Sequence, residues 1–121
     1  MAIGVRPGVT SRPVNFLRPC LLLLLDERPG HGYELSERLV PLAGAVPDTA
    51  VVYRALNAME DEGLVSSQWE RSTEGPVRRC HELTPEGRAA LAAWARQLAD
   101  LDLLVGGLLE LLAARGPLRA A

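Results

Sequence analysis

Apolar residues recur along this chain in three rhythms, and each predicts a different element. The first is a solid block. Leu21 to Leu25 follow Cys20 without a polar interruption, and "DERPGHG" closes the run. A bilayer-spanning helix needs about 20 apolar residues, so the block is far too short to cross a membrane. A secretory signal would place small residues and a cleavage site where "DERPG" stands. The pattern predicts a helix from about Leu17 to Glu27, buried nearly all round, with Pro19 tolerated in its first turn.

The second rhythm is helical. "YELSERLV" predicts a short second helix with Tyr33, Leu35 and Leu39 available to the core, and "PLAGAVP" breaks it. Asp48 suits an N-cap, because its carboxylate can accept from an otherwise unpaired first-turn N–H. Val52, Leu56 and Met59 follow at i, i+4 and i+7, the inward face of a third helix. Thr49, Tyr53, Arg54 and Asn57 then fall at least partly in solvent, and Gly63 is a natural stop.

The third rhythm is alternation. "LVSSQWER" and "VRRCHELT" flank "STEGP", which reads as a two-stranded hairpin. A period of two puts Val77, Arg79, His81 and Leu83 on one face, and Arg78, Cys80 and Glu82 on the other. Thr84 then caps a last long helix with Pro85 at its first position. There Leu91, Trp94, Leu98, Leu101, Val105, Leu108 and Leu112 alternate spacings of three and four, an a/d seam over three heptads. Leu103, Leu104, Leu109 and Leu111 widen the stripe. Gly106–Gly107 interrupts it at a cost of about 1 kcal/mol each relative to alanine, which suggests a bend or a close helix approach. The stripe suits a monomer's core or a dimer seam; the seam is favoured because the helix outruns the helical core before it.

Composition narrows the possibilities. A chain of 121 residues with 48% hydrophobic and 23% charged residues is globular rather than disordered, and is most simply one domain. The net charge of −2 gives no general affinity for nucleic acid, but the basic residues are unevenly placed. All are arginine. Arg6, Arg12 and Arg18 precede the first acidic residue, Asp26, so the N-terminal stretch is locally basic, and residues 1–14, with Gly, Pro and Arg but no periodicity, read as a flexible arm. Arg71, Arg78 and Arg79 form a second cluster, interleaved with Glu70, Glu74 and Glu82.

Cys20 and Cys80 stand in no metal-ligand spacing, and two scattered thiols suit a reducing cytoplasm better than a disulfide framework. Zinc through Cys80 and His81 is disfavoured because adjacent strand residues point to opposite faces and further ligands are missing. No metal or cofactor is therefore expected. A thiolate in basic surroundings is reactive, so Cys80 after Arg78-Arg79 is a candidate oxidant sensor beside the plainer reading of a structural cysteine. The two histidines lack a nucleophile partner and no glycine-rich loop follows a strand, so an enzyme is not expected.

Helix, helix, turn, helix and a two-stranded wing, in that order, make a winged helix-turn-helix: a mainly α fold with a small β-hairpin. It would span residues 15–83, followed by a dimerisation helix at 84–115 and a tail at 116–121. Its third helix would enter the DNA major groove, with wing and arm at the backbone or minor groove. The chain also resembles the PadR-like transcriptional regulators in their short form, with a single C-terminal helix. The resemblance covers roughly residues 16–98 and rests on "HGYEL", "VYRALNAMEDEGLV", "SSQW" and "EGPVRRCHELTPEGRAAL" in order.

That resemblance implies a homodimeric repressor on a pseudo-palindromic operator in double-stranded DNA, released by a small molecule or a stress signal. It implies that Tyr53 hydrogen-bonds a phosphate, near Thr49. Arg54 and Asn57 suit base edges, since arginine pairs with guanine and asparagine with adenine. Arg71, Arg78 and Arg79 are the wing's candidates, and only one of the last two should meet phosphate because they alternate faces. By similarity to multidrug-sensing relatives, Trp69 matches a ligand-stacking position. On the last helix Leu98 stands at a second such position and Trp94 about one turn before it, where seam or core is its favoured role. The chain departs from the family pattern at Val51-Val52 before Tyr53, at Ala58, and at Cys80-His81, where paired tyrosines are common. The acidic run Glu60-Asp61-Glu62 supports a second reading, a winged helix used for protein interaction with weak or no DNA binding.

Overall fold

The computed structural model describes residues 16–43, 48–71 and 75–117. The arm at 1–14, the wing tip at 72–74 and most of the tail lie outside the described residues. In chain order the elements are α1 (Leu17–Glu27), β1 (Gly30–His31), α2 (Gly32–Arg38), α3 (Val40–Ala43), α4 (Thr49–Asp61), β2 (Val65–Glu70), β3 (Arg78–Leu83) and α5 (Pro85–Ala114). The protein is mostly helical, with one antiparallel sheet ordered β1-β3-β2. It divides into two compact units, Met1–Leu91 and Ala92–Ala121. The first turns of α5 thus belong to the first unit.

The leucine block is core. Leu21, Leu22, Leu24 and Leu25 are buried, and only Leu23 reaches solvent at 41% exposure. Leu35, Leu39, Val52, Leu56, Met59, Val65 and Leu83 complete the interior. Arg38 closes the end of α1: its guanidinium donates to the Leu24 carbonyl at 2.7 Å, where a cation is favoured by the helix dipole. Asp48 caps α4 as its sequence position suggests, with Oδ1 accepting from the Ala50 N–H at 2.9 Å.

The other end of α4 turns sharply into the sheet. Gly63 has φ +79°, a left-handed conformation that costs glycine little. It lets the Leu64 N–H reach the Met59 carbonyl at 2.9 Å and the Gly63 N–H reach that of Glu60 at 3.0 Å. These two bonds form a Schellman stop. Thr84 ties the same corner to α5: its N–H donates to the Leu64 carbonyl, its hydroxyl donates to that of Gly63 at 2.7 Å, and Oγ1 accepts from the Gly87 N–H at 3.0 Å.

Three expectations need correction. Tyr33 is 66% exposed and takes no part in the core. It lies two residues before buried Leu35, about 200° around the helix, so both cannot face inward. "PLAGAVP" does not simply end the helical stretch, because Val40–Ala43 adds a further helical turn. Pro41 is tolerated there, where a first-turn N–H would go unpaired anyway. The wing has three strands rather than two: Gly30 and His31, read as a turn, pair with His81 and Cys80 along the open edge of β3.

In the second unit α5 continues without interruption through Gly106–Gly107. Leu101, Leu103, Leu104, Val105, Leu108, Leu109, Leu111 and Leu112 are all exposed, while Trp94 and Leu98 are half-buried. No helix among the described residues is long and apolar enough to cross a membrane.

Candidate nucleic-acid interface

With Val52, Leu56 and Met59 turned inward, α4 presents its opposite side to solvent. Arg54 and Asn57 are exposed one turn apart on that side, Tyr53 is 38% exposed beside them, and Thr49 is half-buried in the first turn. Arg54 makes no ion pair among the described residues. The Tyr53 ring lies on the backbone at the start of α2: a Cβ added at Gly32 would collide with the ring. Tyr53 thus helps to set α2 against α4 while part of it stays accessible.

Electrostatics decide what else is available. The acidic run at the end of α4 is largely neutralised from within. The Arg18 guanidinium donates to both Glu62 oxygens, one of these bonds being 2.8 Å, and holds that carboxyl below the usual range. Arg79 pairs with Glu60 at 2.9 Å. It also donates to the Ser67 hydroxyl at 2.6 Å and stacks 5.6 Å from the centre of the Trp69 ring. Arg79 is therefore committed to holding the hairpin against α4. Arg71 and Arg78 are exposed and without ion pairs among the described residues. The sequence conceals these pairings because the partners lie far apart along the chain.

Trp69 is 67% exposed on β2, with Arg79 as its stacking neighbour. Trp94 and Leu98 belong to α5 in the second unit. The surroundings of Cys80 favour the plainer reading of a structural cysteine. Burial raises the Cys80 pKa and the carboxylates of Glu70, Glu34 and Glu82 raise it further, while burial alone raises that of Cys20. Arg79, adjacent in sequence, points to the other face of β3, so the thiol surroundings are acidic rather than basic.

His81 is buried on that other face, and its Nδ1 has no hydrogen-bond partner among the described residues. Burial lowers its pKa, and this outweighs the nearby Glu60 carboxylate, which favours the charged ring. The unfolded chain therefore binds a proton near pH 6.5 that the folded chain resists. Stability should be level above that pH and decline below it, by at most about 1.4 kcal/mol per pH unit from this group. Urea midpoints at pH 7.5 and 5.5 check this: the decline should shrink in His81→Gln, and an equal decline in both proteins would assign it elsewhere.

Comparison with known proteins bears on this geometry. A family model described as the transcriptional regulator PadR-like family matches residues 21–93. The fold is similar to a PadR family transcriptional regulator from Eggerthella lenta, at 29% identity and TM-score 0.66, covering 80% of this chain and 88% of that one. It is similar to a PadR-like regulator from Bacillus cereus at 25% identity and TM-score 0.70, with coverage of 78% and 92%. A conserved protein described as a potential transcriptional factor aligns at 32% identity and TM-score 0.73, covering 90% and 96%. No curated protein sequence matches the chain.

Proposed function

Because this chain belongs to the PadR-like family of transcriptional regulators, we propose that it acts in the cytoplasm as a homodimeric repressor on a pseudo-palindromic operator. Two copies joined along α5 place paired α4 helices in successive major grooves, the usual arrangement for dimeric helix-turn-helix proteins. Arg54 and Asn57 read base edges, Tyr53 and Thr49 contact phosphate, and Arg71 and Arg78 extend the backbone contact from the wing. The single observation that carries this reading is the outer face of α4. It offers Tyr53, Arg54 and Asn57 to solvent while Glu60 and Glu62 behind them are paired with arginines. Those pairings also remove most of the charge that favoured a protein-interaction module. A planar aromatic effector stacking on Trp69 is the class of signal this surface suits.

Binding to DNA upstream of the protein's own gene, followed by gel retardation across a salt series, tests the proposal. Affinity should fall steeply as salt rises. Arg54→Ala should lose about 1–3 kcal/mol and relax the base preference at one position of each half-site. An equal loss on every sequence would make Arg54 a backbone contact, and salt-insensitive binding would overturn the assignment.

A further inference from the structure

The outward face of the three-stranded sheet carries a cluster that DNA binding does not use. His31 of β1, Glu70 of β2 and Cys80 of β3 bring one ligand atom each to within 4.8 Å of one another. We propose that these three residues form a site for a borderline-soft divalent cation of the zinc class, held by one ligand from each strand.

Register puts them together. His31 is the direct partner of Cys80 across β1 and β3. Glu70 pairs with Arg78, two residues from Cys80 on the same face. Glu70 makes no ion pair with Arg78 among the described residues; its carboxylate turns instead to His31 Nε2 at 3.7 Å. With metal–ligand bonds of about 2.0–2.3 Å, ligand atoms around a tetrahedral zinc lie about 3.3–3.7 Å apart. The His31–Glu70 pair is already at that spacing, and the Cys80 sulfur lies within 4.8 Å of both, a gap that side-chain rotation of the exposed glutamate and of the cysteine can close.

The imidazole is also oriented for the task. His31 Nδ1 lies 3.4 Å from the Arg79 carbonyl oxygen, which suits an Nδ1–H donor. The Nε2 lone pair is then left free on the side of Glu70, whose carboxylate stands 3.7 Å away. Metal-binding histidines are commonly fixed by just such a bond to a carbonyl. Glu34 and Glu82 add negative charge near the sulfur. A thiolate and an imidazole select zinc, cobalt or cadmium over magnesium or calcium, which want oxygen alone. On binding, the thiol proton passes to solvent and water completes the fourth position.

The placement gives the ion a mechanical role. His31 immediately precedes α2, and Glu70 ends β2 where the wing tip begins. A bound ion ties the wing to the helix-turn-helix, and so tunes operator affinity; that consequence, though not the site, rests on the function proposed above.

Cobalt(II), titrated into the full-length protein without DNA, is the test, so its outcome is independent of operator binding. The expected result is a saturable thiolate-to-cobalt charge-transfer band at one metal per chain, erased by zinc. It should be absent in Cys80→Ser, at least about tenfold weaker in affinity in His31→Gln and Glu70→Gln, and unchanged in Cys20→Ser. Zinc in hundredfold excess over the parent's Kd should raise Tm by about 5 °C or more in the parent protein and by about half as much or less in Glu70→Gln, an exposed change that leaves the fold intact. No saturable band, a band that survives Cys80→Ser, or one that disappears with Cys20 would overturn the site.

Discussion

Aspartate at both Leu101 and Leu108 is expected to leave the protein monomeric at micromolar concentration and to weaken operator binding by roughly a hundredfold or more. The two positions are seven residues apart and lie on one line of the helix, at 41% and 50% exposure in the single chain. Burying a leucine fully stabilises by about 1.5–3 kcal/mol. In a symmetric dimer each loss is felt twice, and a carboxylate on the seam must also be stripped of water. The monomer keeps one α4 and one wing, hence half of the phosphate contacts and half of the site. Sedimentation and gel retardation read the two effects together. Leu103→Asp is the control. At 77% exposure and about 200° from Leu101 it is off the seam, so it should leave a dimer. Monomers from Leu103→Asp alone, or a double variant that remains dimeric, would show that α5 pairs through another face.

Why this stripe was visible in the sequence while other features were not is a matter of range. Val52, Leu56 and Met59, or Leu101, Val105 and Leu108, declare themselves because helical geometry repeats every few residues and burial follows the repeat. The caps at Asp48 and Thr84 are local for the same reason, each acting on a backbone N–H within three residues. Exposure of Arg54 and Asn57 follows directly from the inward set opposite them. What periodicity cannot carry is the partner. Arg18 looks like a free basic residue near the arm, yet it is held by Glu62 at the far end of α4. Arg79 and Cys80 are neighbours in sequence and opposites in the fold, one committed to Glu60 and the other set among carboxylates. A charge run read along the chain mixes two faces of a strand, and its chemistry depends on which face each residue takes. The strand at Gly30–His31 has the same cause: two residues carry no rhythm, and only the open edge of β3 makes them a strand.

Gly87 joins these two kinds of information, because local rules and the fold predict opposite signs for the same substitution. In an ordinary helix interior, glycine to alanine stabilises by about 1 kcal/mol. Gly87→Ala is expected instead to destabilise by about 1–3 kcal/mol, a fall in Tm of about 5–15 °C. A Cβ at this position would sit within bonding-like distance of the Leu64 carbonyl oxygen and 2.5 Å from Leu83 Cδ1. The oxygen cannot swing aside as a flexible side chain would, because it accepts from the Thr84 N–H in the corner that joins α4, β2, β3 and α5. Relief therefore requires moving the start of α5 off the sheet, which weakens the Gly87 N–H bond to Thr84 Oγ1 and the Thr84 bond to Gly63. The variant's thermal melt decides the matter, with Gly106→Ala beside it, where a Cβ meets nothing within 4 Å of its own chain. If both substitutions raise Tm alike, helix propensity governs both glycines and the close approach at Leu64 costs nothing. A fall at Gly87 alone shows that this glycine is required by packing of the corner, where the first turn of α5 lies against the Leu64 backbone.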